Sequence, residues 1–459
     1  MAIDNQSKID SCMDFVQDHR NVALQFADAQ LHVAPKVAKA LDSKCQTHIL
    51  ADTTFGPCCV DSVAAEHCLA DAIIHFGDAC LSTPAINCPP ILYVFDDDVV
   101  DVDDLVAKFM EVYGDCNSHV LMLFDVNTCH VLDDFKARLV DHSLSKLCIW
   151  SKVLDTYPAT ETFTHLIQGR GFDLPSNVSL DTIEAFYVGK DSLCVSNMMM
   201  TLSTVPFILY DPKVQTIVNP RTLVNSLLNK RYVQVQRAKD ANVIGIVVGT
   251  LAVASFLEII ESLKALILAN GKKPYLLAVG KPSPAKLANF PEIELFVLVS
   301  CSQNALLDSR EYMVPIVTPY ELSLALDHSQ EWSTVNYNFN LQELLPVLTK
   351  QIQKAHQHAL DHADDESDEE PHFSLITGGY AVKKTYATVT AQPTEDSNTA
   401  LTKRFEGQVS TFTTTSAGAE YLQNRLFQGL EVQMGQTAIS EVEEGRTGIA
   451  RGYTHEHPL

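Results

Sequence analysis

VIGIVVGTLAVASFLEIIESLKALILANGKKPYLLAV, residues 243–279, decides the fold class. Residues 244–248 are an apolar, β-branched run, the composition of a strand covered on both faces. From Phe256 the period changes. Phe256, Leu257, Ile260, Leu263, Leu266 and Ile267 predict one apolar helical face, with Glu258, Glu261 and Lys264 on the polar face. Asn270-Gly271 is the dipeptide that closes such a helix in a C-cap, and residues 275–279 begin a second strand. A strand, a helix and a strand in succession predict parallel pairing. Residues 243–257 are also the most apolar stretch of the chain. Glu258 and Glu261 interrupt it before the roughly 20 residues a membrane span needs.

The same alternation extends outward. Short apolar strands are predicted at 48–51, 72–76, 91–95, 120–124, 185–188 and 293–299, and a one-sided helix over 61–69 carries Val63, Ala64, Cys68 and Leu69. Three segments echo one another: ADAIIHFG (70–77), IEAFYVG (183–189) and EIELFVLV (292–299). Each is an acidic residue, a strand and a turn or small residue, spaced by about one small α/β unit. The predicted class is α/β, with three similar subdomains and mainly parallel sheets. The expected units are 1–90, 91–235 and 236–345, then an acidic and Ser/Thr-rich flexible segment at 346–425 and a C-terminal tail motif at 426–459. The acidic run lies between His362 and His372.

Composition narrows the function classes. Of 459 residues, 46% are hydrophobic and 20% charged, which is globular usage. Lys plus Arg number 33 against 57 Asp plus Glu, a formal net charge of −24, so nucleic acid and anionic membrane are not expected partners. The N-terminal MAIDNQSKID has neither the basic nor the apolar part of a secretory leader. The 12 cysteines are then expected to be reduced thiols in a cytoplasmic protein, most of them small core residues.

Three cysteine positions differ from the rest. Cys58 and Cys59 lie in the turn after strand 48–51, just before a helix; Cys80 lies four residues past strand 72–76; Cys301 follows strand 293–299. In parallel α/β sheets, sites form outside the carboxyl ends of strands, so these thiols can converge across the sequence. Cys59 is also near a helix N-terminus, where the dipole favours thiolate. Packed loop thiols are the alternative reading, and no C-x-x-C pair is present. Adjacent Cys58 and Cys59 side chains diverge in most backbones, so one of them is expected to coordinate. His75, inside a strand, reads as a core histidine. Asp96, Asp97, Asp98, Asp101, Asp103 and Asp104 read either as a hard-cation site or as a loop and an acidic helix start. No Walker A string, G-x-G-x-x-G or G-x-S-x-G occurs, and Gly169-Arg170-Gly171 lacks a third glycine.

At the cysteines the chain resembles a known family. ILADTTFGPCCVDSVAAEHCLADAIIHFGDACL (49–81) is similar to the core motif shared by diphthamide biosynthesis proteins 1 and 2. GTLAVASFLEIIESLK (249–264), VSCSQNALLDSREYMVPIVTPYEL (299–322) and the tail GRTGIARGY (445–453) resemble the second-subunit branch. The resemblance covers most of residues 20–330 plus that tail.

It implies three α/β domains around a central [4Fe–4S] cluster held by Cys59, Cys80 and Cys301, with Cys58 as the alternative to Cys59. It further implies a synthase that transfers the 3-amino-3-carboxypropyl group of S-adenosylmethionine to a histidine of elongation factor 2. The archaeal form and subunit 1 place one ligand cysteine in each domain. Here the matching middle stretch GRGFDL (169–174) has none, and Cys194 lies past the next strand. The third domain reads GTLAVAS where subunit 1 has a glycine-rich, Arg-Gln-containing turn. These departures imply a non-catalytic, cluster-bearing partner of subunit 1 in a heterodimer, supplied by an electron donor protein. A purely structural partner and a homodimeric transferase are the alternative readings.

Overall fold

The computed structural model describes residues 6–51, 56–114, 116–140, 143–307, 309–327, 332, 337–361, 372–381, 418 and 421. Parallel α/β architecture appears three times over. The first sheet contains β1 (Asn21–Phe26), β2 (Gln46–Leu50), β3 (Ala72–Phe76) and β4 (Ile91–Val94), in the order β2-β1-β3-β4. The second contains β5 (Val120–Phe124), β6 (Cys148–Trp150), β7 (Glu184–Val188) and β8 (Phe207–Asp211), in the order β8-β7-β5-β6. The third contains β9 (Val243–Val248), β10 (Lys273–Leu277), β11 (Leu295–Val299) and β12 (Ile316–Val317), in the order β10-β9-β11-β12. Within each unit the spatial order is second, first, third, fourth. All these pairings are parallel. The three echoed sequence segments therefore carry the same strand, the third, of each unit.

The strands are apolar because helices or neighbouring units cover both faces. Every residue of β3, β5, β9 and β11 is buried. Antiparallel additions finish two edges: Thr156–Tyr157 pairs with β4, and Thr216–Val218 with β8. Strand β4 was expected to open the second unit at residue 91. It pairs in parallel with β3 of the first sheet, and its four residues are buried.

The decisive stretch folds as expected, with one correction. Helix α1 (Ser62–His67) precedes β3, α2 (Val102–Tyr113) precedes β5, α3 (Leu193–Thr201) follows β7, α4 (Arg221–Asp240) precedes β9, and α5 (Phe256–Ala269) follows it. The buried face of α5 is Ile259, Ile260, Leu263, Leu266 and Ile267, whereas Leu257 is 60% exposed. At about 100° per residue, Leu257 lies about 120° around the helix from the centre of that face. Gly271 adopts φ +71° and its N–H bonds to Leu268 O, while Lys272 N–H bonds to Ile267 O, which closes the helix.

Two further helices fix the third unit. Helix α6 (Pro319–Leu326) begins in a capping box of Thr318 and Glu321. The buried Glu321 also takes a two-pronged ion pair from Arg231 on α4. Helix α7 (Leu341–Asp361) packs on α5 through buried Leu341, Leu344 and Leu348. The flexible segment expected from residue 346 is thus helical to Asp361, since its apolar spacing gives it a core face. The acidic run at 362–371 and the tail at 426–459 lie outside the described residues. No helix among the described residues is long and apolar enough to cross a membrane.

Candidate metal centre

The cysteines singled out in the sequence meet. The Sγ atoms of Cys58, Cys59, Cys80 and Cys301 lie within 4.8 Å of one another, and all four residues are buried. Cys58 Sγ is 3.8 Å from Cys301 Sγ, and Cys59 Sγ is 3.8 Å from Cys80 Sγ. Among the described residues this is the only group of three or more His, Cys, Asp or Glu placed to hold a metal ion.

Each thiol arrives at the carboxyl end of a strand. Cys58 and Cys59 sit in a turn closed by Cys59 N–H to Gly56 O at 3.3 Å. That turn bends the backbone so that both adjacent side chains face the same pocket, against the expectation that only one would. Cys80 follows β3, and its N–H donates to Cys58 O at 3.0 Å. Cys301 directly follows β11 and starts the short turn Ser302–Asn304.

The three units are laced together around this point. Asn127 Nδ2 of the second unit donates to Asp78 of the first at 2.6 Å. Asn197 on α3 donates its amide to Ser302 O of the third. Ala254 N–H bonds to Thr83 O at 2.8 Å, and Ala85 N–H to Ala252 O at 2.9 Å. The loop beside Cys80 is therefore paired to the loop after β9.

Two residues that support the cysteines, and one buried arginine of the second unit, were not anticipated. Gln25 is 1% exposed within the otherwise apolar strand β1. Its Nε2 donates to Cys59 O at 2.7 Å and its Oε1 accepts from Asp61 N–H at 2.8 Å, so one side chain grips the turn on both sides of Cys59. Asn304 donates from Nδ2 to Cys58 Sγ at 3.2 Å and to Cys301 Sγ at 3.5 Å. Arg170, in the middle stretch that lacks a cysteine, is fully buried and donates to Phe124 O and Gln168 O at 3.1 and 2.7 Å. The lone Gln inside VALQF and the Asn three residues after Cys301 are the sequence signals by which the first two could have been found.

Electrostatics single out one sulfur. Hydrogen bonding from Cys301, and then from Cys58 and Cys59, holds the Cys80 thiol well below the usual thiol range. The Cys301 thiol pushes both Cys58 and Cys59 up. The neighbouring thiols of Cys301, Cys58 and Cys80, together with burial, thus act on Cys59 against the helix-dipole expectation. The first turn of α1 is itself capped by Asp61, whose carboxylate accepts from Ala64 N–H at 2.9 Å.

The other candidates resolve into structure. Asp101 caps α2 through Asp103 and Asp104 N–H; Asp104 accepts from Tyr210 Oη at 2.6 Å; Asp103 pairs with Arg138; Asp97 with Lys8 at 2.7 Å; Asp96 accepts from Gln30. Five of the six acids thus have structural partners of their own. His75 is a core residue with Nε2 against Asp78 O at 3.1 Å, and burial holds its imidazole below its usual range. Cys194 lies outside the four-sulfur group.

An all-sulfur donor set suits zinc or an iron–sulfur cluster. Fold and site together define a protein of three parallel α/β units joined at a buried four-thiol centre. A sequence profile described as "Putative diphthamide synthesis protein" matches residues 26–338. The 2-(3-amino-3-carboxypropyl)histidine synthase subunit 2 of Gallus gallus is 39% identical over 98% of this chain and 92% of its own length. The protein of that name from Schizosaccharomyces pombe is 36% identical over 98% and 90%. The chain belongs to the diphthamide synthesis family. A similar fold is seen in the crystal structure of Dph2 from Pyrococcus horikoshii with a 4Fe-4S cluster, with a TM-score of 0.54, 18% identity and coverage of 72% of this chain and 93% of that one.

Proposed function

We propose that this chain is the non-catalytic, iron–sulfur-bearing subunit of a cytoplasmic heterodimeric synthase. Its partner would be diphthamide biosynthesis protein 1, the catalytic subunit. The complex would transfer a 3-amino-3-carboxypropyl group from S-adenosylmethionine to a histidine of elongation factor 2, and this chain would support electron delivery from a donor protein. The subunit name of its relatives supports the assembly. The division into three α/β units is part of the same reading, with residues 91–94 counted in the first.

The observation that carries the reading is the convergence of four buried sulfurs at the junction of three units. Cys59, Cys80 and Cys301 are assigned as ligands, and Cys58 stands beside them as a fourth donor. A [4Fe–4S] cluster bound there would supply a one-electron redox centre. The chain's own residues do the rest. Gln25 fixes the Cys59 turn, the inter-unit hydrogen bonds fix the approach of Cys80 and Cys301, and burial of all four thiols keeps solvent out. A fourth thiol in reach of the site leaves less room for a sulfonium substrate, which supports a role other than cleavage of S-adenosylmethionine.

The test is anaerobic purification followed by metal analysis and modification assays with the partner subunit. About four irons per chain are expected. Replacing Cys59, Cys80 and Cys301 together by alanine should abolish the iron and the support of elongation factor 2 modification. Zinc in place of iron, or full activity of the triple variant under mild reductant, would overturn the reading.

A further inference from the structure

The geometry points to Asn304 as a positioning residue that sets the reduction potential of the thiol centre. The inference rests on the iron–sulfur reading above and deepens it. Asn304 ends the short turn Ser302–Asn304, whose N–H-to-O closure on Cys301 measures 3.1 Å. That turn carries the side chain back over the sulfurs. One amide nitrogen then reaches two of the four, Cys58 Sγ at 3.2 Å and Cys301 Sγ at 3.5 Å. These two cysteines come from units 243 residues apart in sequence, so the amide bridges the first unit and the third at the site itself.

The surroundings are shaped to admit this amide. Gly56 lies two residues before Cys58, and a Cβ added there would collide with Asn304 Nδ2. Glycine at 56 is thus explained by the close approach of the amide.

The chemistry follows from charge. Adding one electron to a thiolate-bound cluster adds negative charge, part of which resides on the cysteine sulfurs. An N–H dipole aimed at those sulfurs stabilises the reduced form more than the oxidised one. Asn304 therefore raises the potential, and removing its donor lowers it. Hydrogen bonds to charged groups are of a strength that makes the loss about tenfold in the reduction equilibrium constant, or about 59 mV for a one-electron couple.

The experiment is a dithionite titration of the anaerobically purified full chain, followed by electron paramagnetic resonance, with iron content measured in parallel. Asn304→Leu and Asn304→Asp remove the donor at nearly constant volume; Gly56→Ala keeps the amide and displaces it. The expected result is wild-type iron content in all three, and a shift to more negative potential of about tenfold in the equilibrium constant for both Asn304 variants. Gly56→Ala should shift the same way. Wild-type potentials in iron-loaded variants would overturn the inference while leaving the cluster reading intact. Loss of iron from both Asn304 variants would also overturn it, because the amide would then build the site rather than tune it. A wild-type chain without a reducible cluster would sink both.

Discussion

Cys58 and Cys301 stand with their sulfurs 3.8 Å apart although 243 residues separate them. The pair is held by strand ends of two different sheets, so the centre exists only when the first and third units are docked. The Cys59–Cys80 contact, by contrast, closes within the first unit across 21 residues. The two halves of the site thus have different dependence on domain docking.

Single alanine replacements at Cys58, Cys59, Cys80 and Cys301 should each weaken iron retention about tenfold or more. Cys12→Ala should leave iron content unchanged, because Cys12 is buried in the core of the first unit away from the site. Iron analysis after a chelator challenge checks both halves. Full retention in Cys58→Ala would return that residue to the role of a packed thiol.

Gln25→Leu keeps the volume and removes the grip on the cysteine turn. Cys59 O and Asp61 N–H would lose their partner in a buried place. The expected cost is about 1–3 kcal/mol, read as a lower melting temperature of the apoprotein. Iron retention should fall as well, which replacement of an ordinary core residue of that unit would not cause.

Glu321 has two jobs: it caps α6 and neutralises Arg231. Glu321→Ala leaves a buried guanidinium without its counter-charge, at an expected cost of about 3–5 kcal/mol. Denaturant titration should show a lower midpoint. A paired Arg231→Met, Glu321→Leu variant should recover much of the loss, because apolar packing can replace a buried ion pair.

His75 gives a pH signature. Burial holds its imidazole below the unfolded value of about 6.5. The unfolded chain therefore takes up a proton first as pH falls. The contribution is present above pH about 6.5 and is lost as pH drops through the lower folded value. His75→Phe should lose less melting temperature than wild type between pH 8 and pH 5.5. Equal losses in calorimetry would remove His75 from the acid response.

The strands, the α/β class and the cysteine positions were legible because they depend on local composition. Residues such as those of β9 and β11 are apolar at every position, and only a doubly covered strand needs that. Even the threefold echo was visible, since the third strand of each unit faces the same packing problem. The error at Leu257 came from counting apolar residues without knowing which side of α5 meets the sheet. That β4 pairs with β3 was not legible, because strand order is a property of pairing in space.

Sequence alone determined that Cys80 and Cys301 follow strands and that Cys58 and Cys59 precede a helix, because backbone propensity and hydrophobic period act over a few residues. Only the tertiary structure decided that four sulfurs face one pocket and that both adjacent cysteines turn the same way. It also decided that Gln25 and Asn304 serve them. Those outcomes depend on how three sheets dock and where a turn places its side chains, and such distances are set by packing between residues far apart in the chain.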